Sequence, residues 1–245
     1  MTLLEAIDER ISRRHYLKTP IETHKLELLD ELMQKYNAVG GFRVALVVEN
    51  GDAFKGFTSS YGMLTGVEHY FGFVADLNDP DADEKIGYYG EKLVLHATTL
   101  GLGTCWVGGT FNKSKVPFEI GENEKLACLI TVGNIEEKQS TKEKFIYKLT
   151  HRKSKTVQNM SIVDEVAPDW FYEGVSAVTK APSAMNKQPI ILSYQNGVVC
   201  ASIHARFKYL AYFDLGIAKL HFELASGGGT WVWGDGCHFT KSENI

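Results

Sequence analysis

The chain has 245 residues, 44% hydrophobic and 23% charged, which suits one large globular domain or two small ones. Its formal net charge is −4 and no long basic tract occurs, so nucleic acid is not an expected partner. No apolar run approaches the roughly 20 residues that span a bilayer, and the first residues lack a cleavable signal pattern. We therefore expect no membrane association and a cytoplasmic location. The four cysteines are scattered without CxxC pairs, which argues against a zinc site or a disulfide framework.

Helical and strand-like patterns alternate in the first part of the chain. A capping box formed by Thr2 and Glu5 indicates where the first helix begins. Apolar spacing and β-branched runs predict helices over residues 2–14, 21–36 and 84–100, and strands over 42–48, 70–77 and 126–133. The glycine-rich stretch 101–109 (GLGTCWVGG) is predicted as a turn. Residues 134–155 are charged, and we expect them to run over the surface, ending in a basic cluster at 151–155.

The pattern begins again after residue 161. A helix over residues 169–179 and strands over 190–194 and 198–203 are predicted, the strands joined by an Asn196-Gly197 turn. A helix over 213–225 then ends in a second glycine-rich stretch, 227–234.

Residues 181–189 (APSAMNKQP), called here the proline loop, separate that helix from the next strand. The two prolines lack a backbone donor and favour extended residues before them, so this stretch is neither a regular helix nor a central strand. Ser183, Asn186 and Gln188 place polar groups on a shaped loop, where a ligand could be held. The alternative is a solvated turn between a helix and a strand.

An internal repeat relates the two parts. Residues 90–108 align with 216–234 at a shift of 126 positions (216 − 90), which superposes four glycines and a threonine. We interpret this as a duplicated α+β unit, with a first half at 1–160 and a shorter second half at 161–245 that pack together as a pseudo-dimer. The alternative is coincidence among 23 glycines.

Hydrogen-bond donors, rather than acids or nucleophiles, stand out among the polar residues. The GLGTCWVGG stretch follows a helix, which is not dinucleotide-fold geometry, and no phosphate-loop, GxSxG or HExxH motif occurs. The donors are Arg10, Ser12, Arg14, Arg152, Lys153 and Asn186. They suit a ligand that carries a phosphate and hydrogen-bonding ring edges, although each basic cluster alone could be a solvated face.

These motifs resemble the FMN-dependent nitroreductases. The matching segments are Arg10-x-Ser12-x-Arg14-x-Tyr16 (the arginine motif), Gly101-Leu102-Gly103-Thr104 with Trp106, Val132-Gly133 followed by the basic cluster, and Pro182-Ser183-Ala184-Met185-Asn186-x-Gln188-Pro189. The chain is similar in particular to single-chain members in which one polypeptide contains both halves of the usual dimer. It departs from ordinary members because the proline loop lies in the second half.

The resemblance implies a nitroreductase-like α+β fold and a set of FMN contacts. Arg10, Ser12 and Arg14 would bind the phosphate, ribityl chain and pyrimidine edge. Ile11 would also lie at the flavin, although the family often has a basic or polar residue there, which costs one contact.

The remaining implied contacts come from three other segments. A turn formed by Cys105, Trp106, Val107 and Gly108 would offer backbone donors near the reactive nitrogen, and Trp106 would either flank the ring or be structural. Arg152 and Lys153 would complete the phosphate clamp. Ser183, Ala184 and Asn186 would approach from the opposite half, with Gln188 nearby.

The implied function is an NAD(P)H-dependent flavin oxidoreductase that reduces nitroaromatic, quinone or similar flat acceptors by ping-pong hydride transfer. No side-chain acid or base is needed, so no catalytic residue and no metal ligand are predicted. The alternatives are FMN-dependent dehalogenation or enone reduction, and a flavin-binding protein without turnover. Because one chain would hold both halves, a symmetric dimer is not required.

Overall fold

The protein is described by a computed structural model that covers residues 1–55, 63–139, 143–144, 154–206 and 208–242. It divides into two compact units. The first contains Met1, Glu9–Ala82 and Leu93–Leu149, and the second contains Thr2–Asp8, Asp83–Lys92 and Thr150–Ile245. Among the described residues, none of the helices is both long and apolar enough to cross a bilayer.

The first unit is built on a four-stranded antiparallel sheet. Its elements are helix α2 (Thr23–Asn37) and strands β1 (Phe42–Val47), β2 (His69–Asp76), β3 (Gly103–Val107) and β4 (Glu124–Gly133). The strand order is β1-β2-β4-β3. Strand β2 is buried along nearly its whole length, because it lies between two neighbours in the sheet and consists largely of apolar residues. Tyr70, Val107 and Leu129 belong to the core cluster on this sheet.

The second unit has a five-stranded sheet. Its elements are helices α1 (Leu3–Glu9), α4 (Val157–Met160), α5 (Asp169–Val178) and α6 (Ala211–Ala225), and strands β5 (Ser161–Val163), β6 (Ile190–Gln195), β7 (Val198–Ile203), β8 (Gly229–Trp231) and β9 (His238–Lys241). The order is β5-β6-β7-β9-β8, with β5 parallel to β6 and the other pairs antiparallel. An aromatic cluster that includes Phe222, Trp231 and Phe239 fills the core, with ring centroids 4.9–5.5 Å apart.

Helix α3 (Ala82–Thr99) contributes to both units, residues 83–92 to the second and 93–99 to the first. Within the second unit, two glycines let α3 approach α6 closely. A Cβ atom at Gly216 would lie 1.9 Å from the carbonyl oxygen of Glu84, and one at Gly87 would lie 2.1 Å from that of Phe213. Only glycine permits this backbone contact.

A buried ion pair closes the turn after β8, again within the second unit. Lys219 on α6 pairs with Glu84, and both side chains are fully buried. The Lys219 ammonium also donates to the carbonyls of Val232 (2.9 Å) and Gly234 (3.0 Å), while the Gly234 amide donates to Glu84 Oε2 (2.7 Å). Buried charges are tolerated because these partners replace lost water.

The two sheets share one pattern. The order β1-β2-β4-β3 in the first unit corresponds to β6-β7-β9-β8 in the second, with antiparallel pairing throughout. Left-handed glycines follow α3 and α6 at Gly101 (φ 74°) and Gly227 (φ 83°), and β3 and β8 begin at Gly103 and Gly229. Both pairs keep the predicted shift of 126. The predicted duplication is compatible with this pattern and stays a prediction.

Five elements differ from the sequence-based expectations. Helix α1 ends at Glu9 rather than at residue 14. Strand β3 lies in the stretch 101–109, which was predicted as a turn, and β8 lies in the second glycine-rich stretch, 227–234. The short strands β5 and β9 were not expected at all. The predicted capping box is confirmed, since the Thr2 and Glu5 amides donate to each other's side-chain oxygens at 2.8 and 3.2 Å.

The predicted halves at 1–160 and 161–245 describe a duplication, whereas the two units describe packing. Residues 2–8 and 83–92 pack with the second unit, so the two divisions do not coincide. The boundary at residue 160 stays a prediction.

Candidate functional site

The arginine motif continues past α1 as extended chain beside β3, both in the first unit. Ser12 and Thr104 form a parallel bridge, and the Arg13 amide donates to the Thr104 carbonyl (2.8 Å). This pairing replaces the helical bonds that the sequence predicted up to residue 14. Successive side chains of an extended chain point to opposite faces, so Ser12 and Arg14 share one face and Arg13 points to the other.

The Arg13 side chain is buried and held by Glu143. Its Nε lies 3.2 Å from Glu143 Oε1, and its Nη2 donates to the Glu136 carbonyl (3.0 Å). The same Glu143 oxygen accepts from the backbone amides of Arg14 (2.8 Å) and His15 (3.1 Å). One carboxylate therefore fixes the backbone of the arginine motif. Burial of Glu143 corrects the expectation that residues 134–155 lie on the surface.

Four of the predicted flavin contacts come together at Cys105. Burial raises the pKa of the Cys105 thiol, and this effect outweighs the charges of Arg14 and Arg10 and a hydrogen bond with Ser12, which lower it. The Ser12–Thr104 bridge places the motif next to Cys105, close enough for the charges of Arg10 and Arg14 to act on its thiol. Two guanidinium groups and a hydroxyl therefore belong to a segment that runs beside β3, the edge strand of the sheet.

The other predicted residues on this segment are placed differently from the expected turn. Cys105, Trp106 and Val107 form strand β3 and pair with β4, because the threonine, tryptophan and valine favour a strand more strongly than the flanking glycines favour a turn. Trp106 stacks on Phe73 with centroids 6.3 Å apart, which supports its structural interpretation. Gly108 directly follows β3. Ile11, in the arginine motif, is 39% exposed.

Tyr16, the last residue of the arginine motif, is part of the core. Its hydroxyl donates to the Arg13 carbonyl (2.7 Å) and shares a hydrogen bond with Thr131 Oγ1 (2.7 Å). Burial, together with the nearby Cys105, raises the pKa of Tyr16 well above its usual range. Tyr16 therefore keeps its proton and stabilises the backbone of the motif.

The proline loop, in the second unit, has an unusual backbone. It contains a single 3₁₀ turn, Ala184–Asn186, and three of its residues have left-handed conformations without being glycine: Met185 (φ 54°), Asn186 (φ 50°) and Gln188 (φ 46°). Such conformations are strained and persist where surrounding contacts enforce them. The expectation that this stretch is neither regular helix nor strand is confirmed.

Gln188 supplies several of those contacts. It is 3% exposed, its Oε1 accepts from the Lys155 amide (2.7 Å), and its Nε2 donates to the Thr179 carbonyl (2.7 Å). Its backbone amide donates to Ser183 Oγ (2.9 Å), and its carbonyl accepts from Lys155 Nζ (2.8 Å). The amide side chain thus supports the loop from within.

Asp214 on α6 holds the beginning of the loop and was not predicted from the sequence. Its carboxylate oxygens lie 3.1 and 3.4 Å from the Ala184 amide nitrogen. Burial raises the pKa of Asp214 to about 7, while the Ala184 amide and the Lys187 charge lower it. The sequence does contain a signal for this residue, because an acidic side chain between Phe213 and Leu215 in a mostly apolar helix is unusual.

The predicted site residues thus form two groups, one in each unit. Arg10, Ser12, Arg14 and Cys105 are gathered in the first, and the proline loop lies in the second. Arg152 and Lys153 lie outside the described residues. That the two groups meet at one ligand stays a prediction.

Comparisons with known proteins identify the class of protein to which this chain belongs. A family model described as "Putative TM nitroreductase" matches residues 2–226. The chain belongs to this nitroreductase family, so the predicted family and the predicted nitroreductase-like α+β fold are confirmed. No curated protein sequence matches the chain.

Solved structures include nitroreductases from several bacteria. A putative nitroreductase from Thermotoga maritima has a TM-score of 0.66 and 19% identity, over 98% of this chain and 92% of its own, which shows a common fold. An FMN-dependent nitroreductase from Clostridium difficile has a TM-score of 0.46 and 18% identity, over 60% of this chain and 97% of its own. A putative NADH dehydrogenase/NAD(P)H nitroreductase from Bacteroides thetaiotaomicron has a TM-score of 0.46 and 21% identity, over 62% and 96%.

Proposed function

We propose that this nitroreductase-family oxidoreductase depends on FMN and uses NAD(P)H to reduce nitroaromatic, quinone or similar flat acceptors by ping-pong hydride transfer. The observation that carries the proposal is the pairing of the arginine motif with β3, where Ser12 bridges Thr104 next to Cys105. The charges of Arg10 and Arg14 act on the Cys105 thiol there and lower its pKa. Family membership supports the reaction class. We place the activity in the cytoplasm, where the four free cysteines would stay reduced.

The donor set fits a phosphorylated ligand. Guanidinium groups form charge-assisted hydrogen bonds with phosphate oxygens, and the Ser12 hydroxyl can bond a polyol chain. Arg10 and Arg14 would hold the phosphate and the pyrimidine edge, while Arg13 and Glu143 keep the backbone of the motif in place. The flavin, when bound, supplies the hydride chemistry.

The proline loop would contribute the second side of the site. We propose that Ser183, Ala184 and Asn186 face the flavin, since the strained backbone of this loop is typical of binding positions. Gln188 supports them by its bonds within the unit.

Proton transfer from the protein is not part of the proposal. Burial keeps the pKa of Tyr16 and of the Cys105 thiol raised, so both groups near the arginine motif remain protonated at neutral pH. Both would remain neutral groups beside the arginine motif.

We also propose that one chain supplies both halves of the site, so that a monomer binds FMN. The shared strand order of the two sheets and the constant shift between the glycines after α3 and α6 support this duplication.

An absorption experiment tests the function. Purified protein mixed with FMN and gel-filtered should stay yellow, bleach with NADH or NADPH under anaerobic conditions, and regain its colour with menadione or nitrofurazone. Arg14→Ala serves as the variant that fails to retain flavin. Yellow protein that neither nicotinamide bleaches would instead identify a flavin-binding protein without this turnover, and protein that retains no flavin would overturn the proposal. Bleaching without reoxidation by either acceptor would point to dehalogenation or enone reduction.

A further inference from the structure

Asp214 lies directly behind the proline loop. Only 6% of the residue is exposed, and both carboxylate oxygens face the Ala184 amide at 3.1 and 3.4 Å. Its position on α6 is fixed because Phe213 and Leu215 beside it are buried. Burying a carboxylate costs free energy unless the carboxylate accepts hydrogen bonds. The bond from the Ala184 amide offsets part of this cost, and it joins Asp214 to the loop.

The loop needs such a contact. Three of its residues, Met185, Asn186 and Gln188, have left-handed conformations although they are not glycine. Such a backbone is strained, so the loop keeps this shape only while its ends are held. Gln188 is bonded to Lys155 and Thr179 at the end of the loop. At the beginning, Asp214 is the charged acceptor.

The surroundings of Asp214 make its charge sensitive to pH. The small cavity next to it is lined by Met160, Val178 and Ala218 together with neutral residues of the loop. Within the described part of the chain, Lys187 on the loop itself is the residue whose charge acts on Asp214 and lowers its pKa. Burial raises the pKa of Asp214 to about 7 against these favourable interactions, so the carboxyl changes its charge near neutral pH.

We propose that Asp214 is a positioning residue that fixes the proline loop in its FMN-binding conformation and makes FMN affinity depend on pH. This inference rests on the proposed flavin function. When ionised, the carboxylate accepts a charge-assisted bond from the Ala184 amide and holds Ser183, Ala184 and Asn186 in place. When protonated, it offers a weaker neutral acceptor, so the loop loosens and binds FMN less tightly.

Three proteins and two pH values test this. FMN dissociation constants are measured by quenching of flavin fluorescence at pH 6 and pH 8.5 for the wild type, Asp214→Asn and Asp214→Ala. Asparagine keeps an acceptor oxygen but does not titrate. Any titration of the FMN phosphate affects all three proteins equally, so it cancels in the comparison. The wild type should therefore lose about three- to tenfold more affinity than Asp214→Asn on going to pH 6. Asp214→Ala should bind more weakly than Asp214→Asn by a similar factor at both pH values.

Parallel pH profiles for the wild type and Asp214→Asn would overturn the proposal, as would equal affinity in the asparagine and alanine variants. A second measurement does not need flavin. Amide hydrogen exchange of peptides covering residues 181–189 at pH 8 should be at least about threefold faster in Asp214→Ala than in Asp214→Asn. If no variant binds FMN but this difference appears, the proposed function fails while Asp214 still holds the loop. Equal exchange would rule out the positioning role.

Discussion

Neighbouring residues of the arginine motif lie in different surroundings. Arg13 is buried and paired with Glu143, whereas Arg10 and Arg14 lie around Cys105. The extended backbone produces this difference, because alternate side chains point to opposite faces. The motif therefore combines a structural arginine with two arginines proposed to bind the ligand.

Replacing Arg10 tests the ligand-binding face. Arg10→Ala should weaken FMN binding by about 1.5–3 kcal/mol, the range for a hydrogen bond to a charged group, measured by fluorescence titration. Lys35→Ala, at the exposed end of α2, removes the same charge elsewhere in the first unit and should leave the affinity unchanged. Equal affinity in Arg10→Ala and wild type would remove Arg10 from the site.

Replacing Glu143 tests the structural face. Glu143→Ala leaves the buried Arg13 guanidinium without its carboxylate, so we expect a loss of about 3–5 kcal/mol in the free energy of unfolding by urea denaturation. The control is the exposed pair of Asp52 and Lys55, where Asp52→Ala should leave the free energy of unfolding nearly unchanged. Similar losses in both variants would contradict the role given to Glu143.

The charge of Asp214 also affects stability. Burial raises the pKa of Asp214 from its ordinary value of 3.8 to about 7 in the folded state. Between these two pH values the unfolded chain loses the proton and the folded chain keeps it, so the free energy of unfolding falls as the pH rises. Asparagine does not titrate, so the free energy of unfolding of Asp214→Asn minus that of the wild type should increase with pH. We expect this difference to be about 2–3 kcal/mol larger at pH 8 than at pH 5, since each pKa unit corresponds to about 1.4 kcal/mol. Urea denaturation at the two pH values measures this, and a difference that does not change with pH would contradict it.

At the scale of elements, the close approach of α3 and α6 depends on glycine. Gly216→Ala would place a Cβ atom 1.9 Å from the Glu84 carbonyl oxygen, so the helices must separate, at a cost of about 1–3 kcal/mol in unfolding free energy. Gly109→Ala, with nothing within 4 Å, should change stability by less than about 0.5 kcal/mol. Thermal denaturation compares the two variants, and equal stability would show that α6 tolerates a side chain there.

Elements with long apolar repeats could be predicted from the sequence, and those with short or glycine-rich sequences could not. Helices α2, α3, α5 and α6 lie within two residues of their expected bounds. Apolar residues recur at helical spacing in α2, α3 and α5, whereas α6 is a long, mostly apolar stretch that is buried on nearly all sides. Strands β3 and β8 were hidden because their leading glycines are typical of turns. Strands β5 and β9 are too short for a clear pattern.

The candidate site was predictable to the extent that its residues form local motifs. The spacing of Arg10, Ser12 and Arg14 is visible in the sequence, and the structure pairs this segment with β3 next to Cys105. That these residues bind a ligand stays a prediction. Glu143 and Asp214 were missed, because their partners lie 129 and 30 residues away and only the folded chain brings them together.

At the scale of the whole molecule, the proposed duplication has a stoichiometric consequence. The arginine motif and the proline loop each occur once, so we expect one FMN per chain and retention of flavin by the monomer. Light scattering coupled to absorbance at the flavin band measures both quantities. Flavin that is released whenever a dimer dissociates would contradict the single-chain site.

The division into units also determines what happens if the polypeptide is split. Residues 2–8 and 83–92 pack with the segment after residue 150, so a cut near residue 160 separates the second unit from parts of its own core. The fragment 161–245 would lack Glu84, leaving Lys219 buried without its carboxylate. The fragment 161–245 is then not a self-sufficient module, and it would regain its structure only by reassociation with the fragment 1–160, as in split-protein complementation.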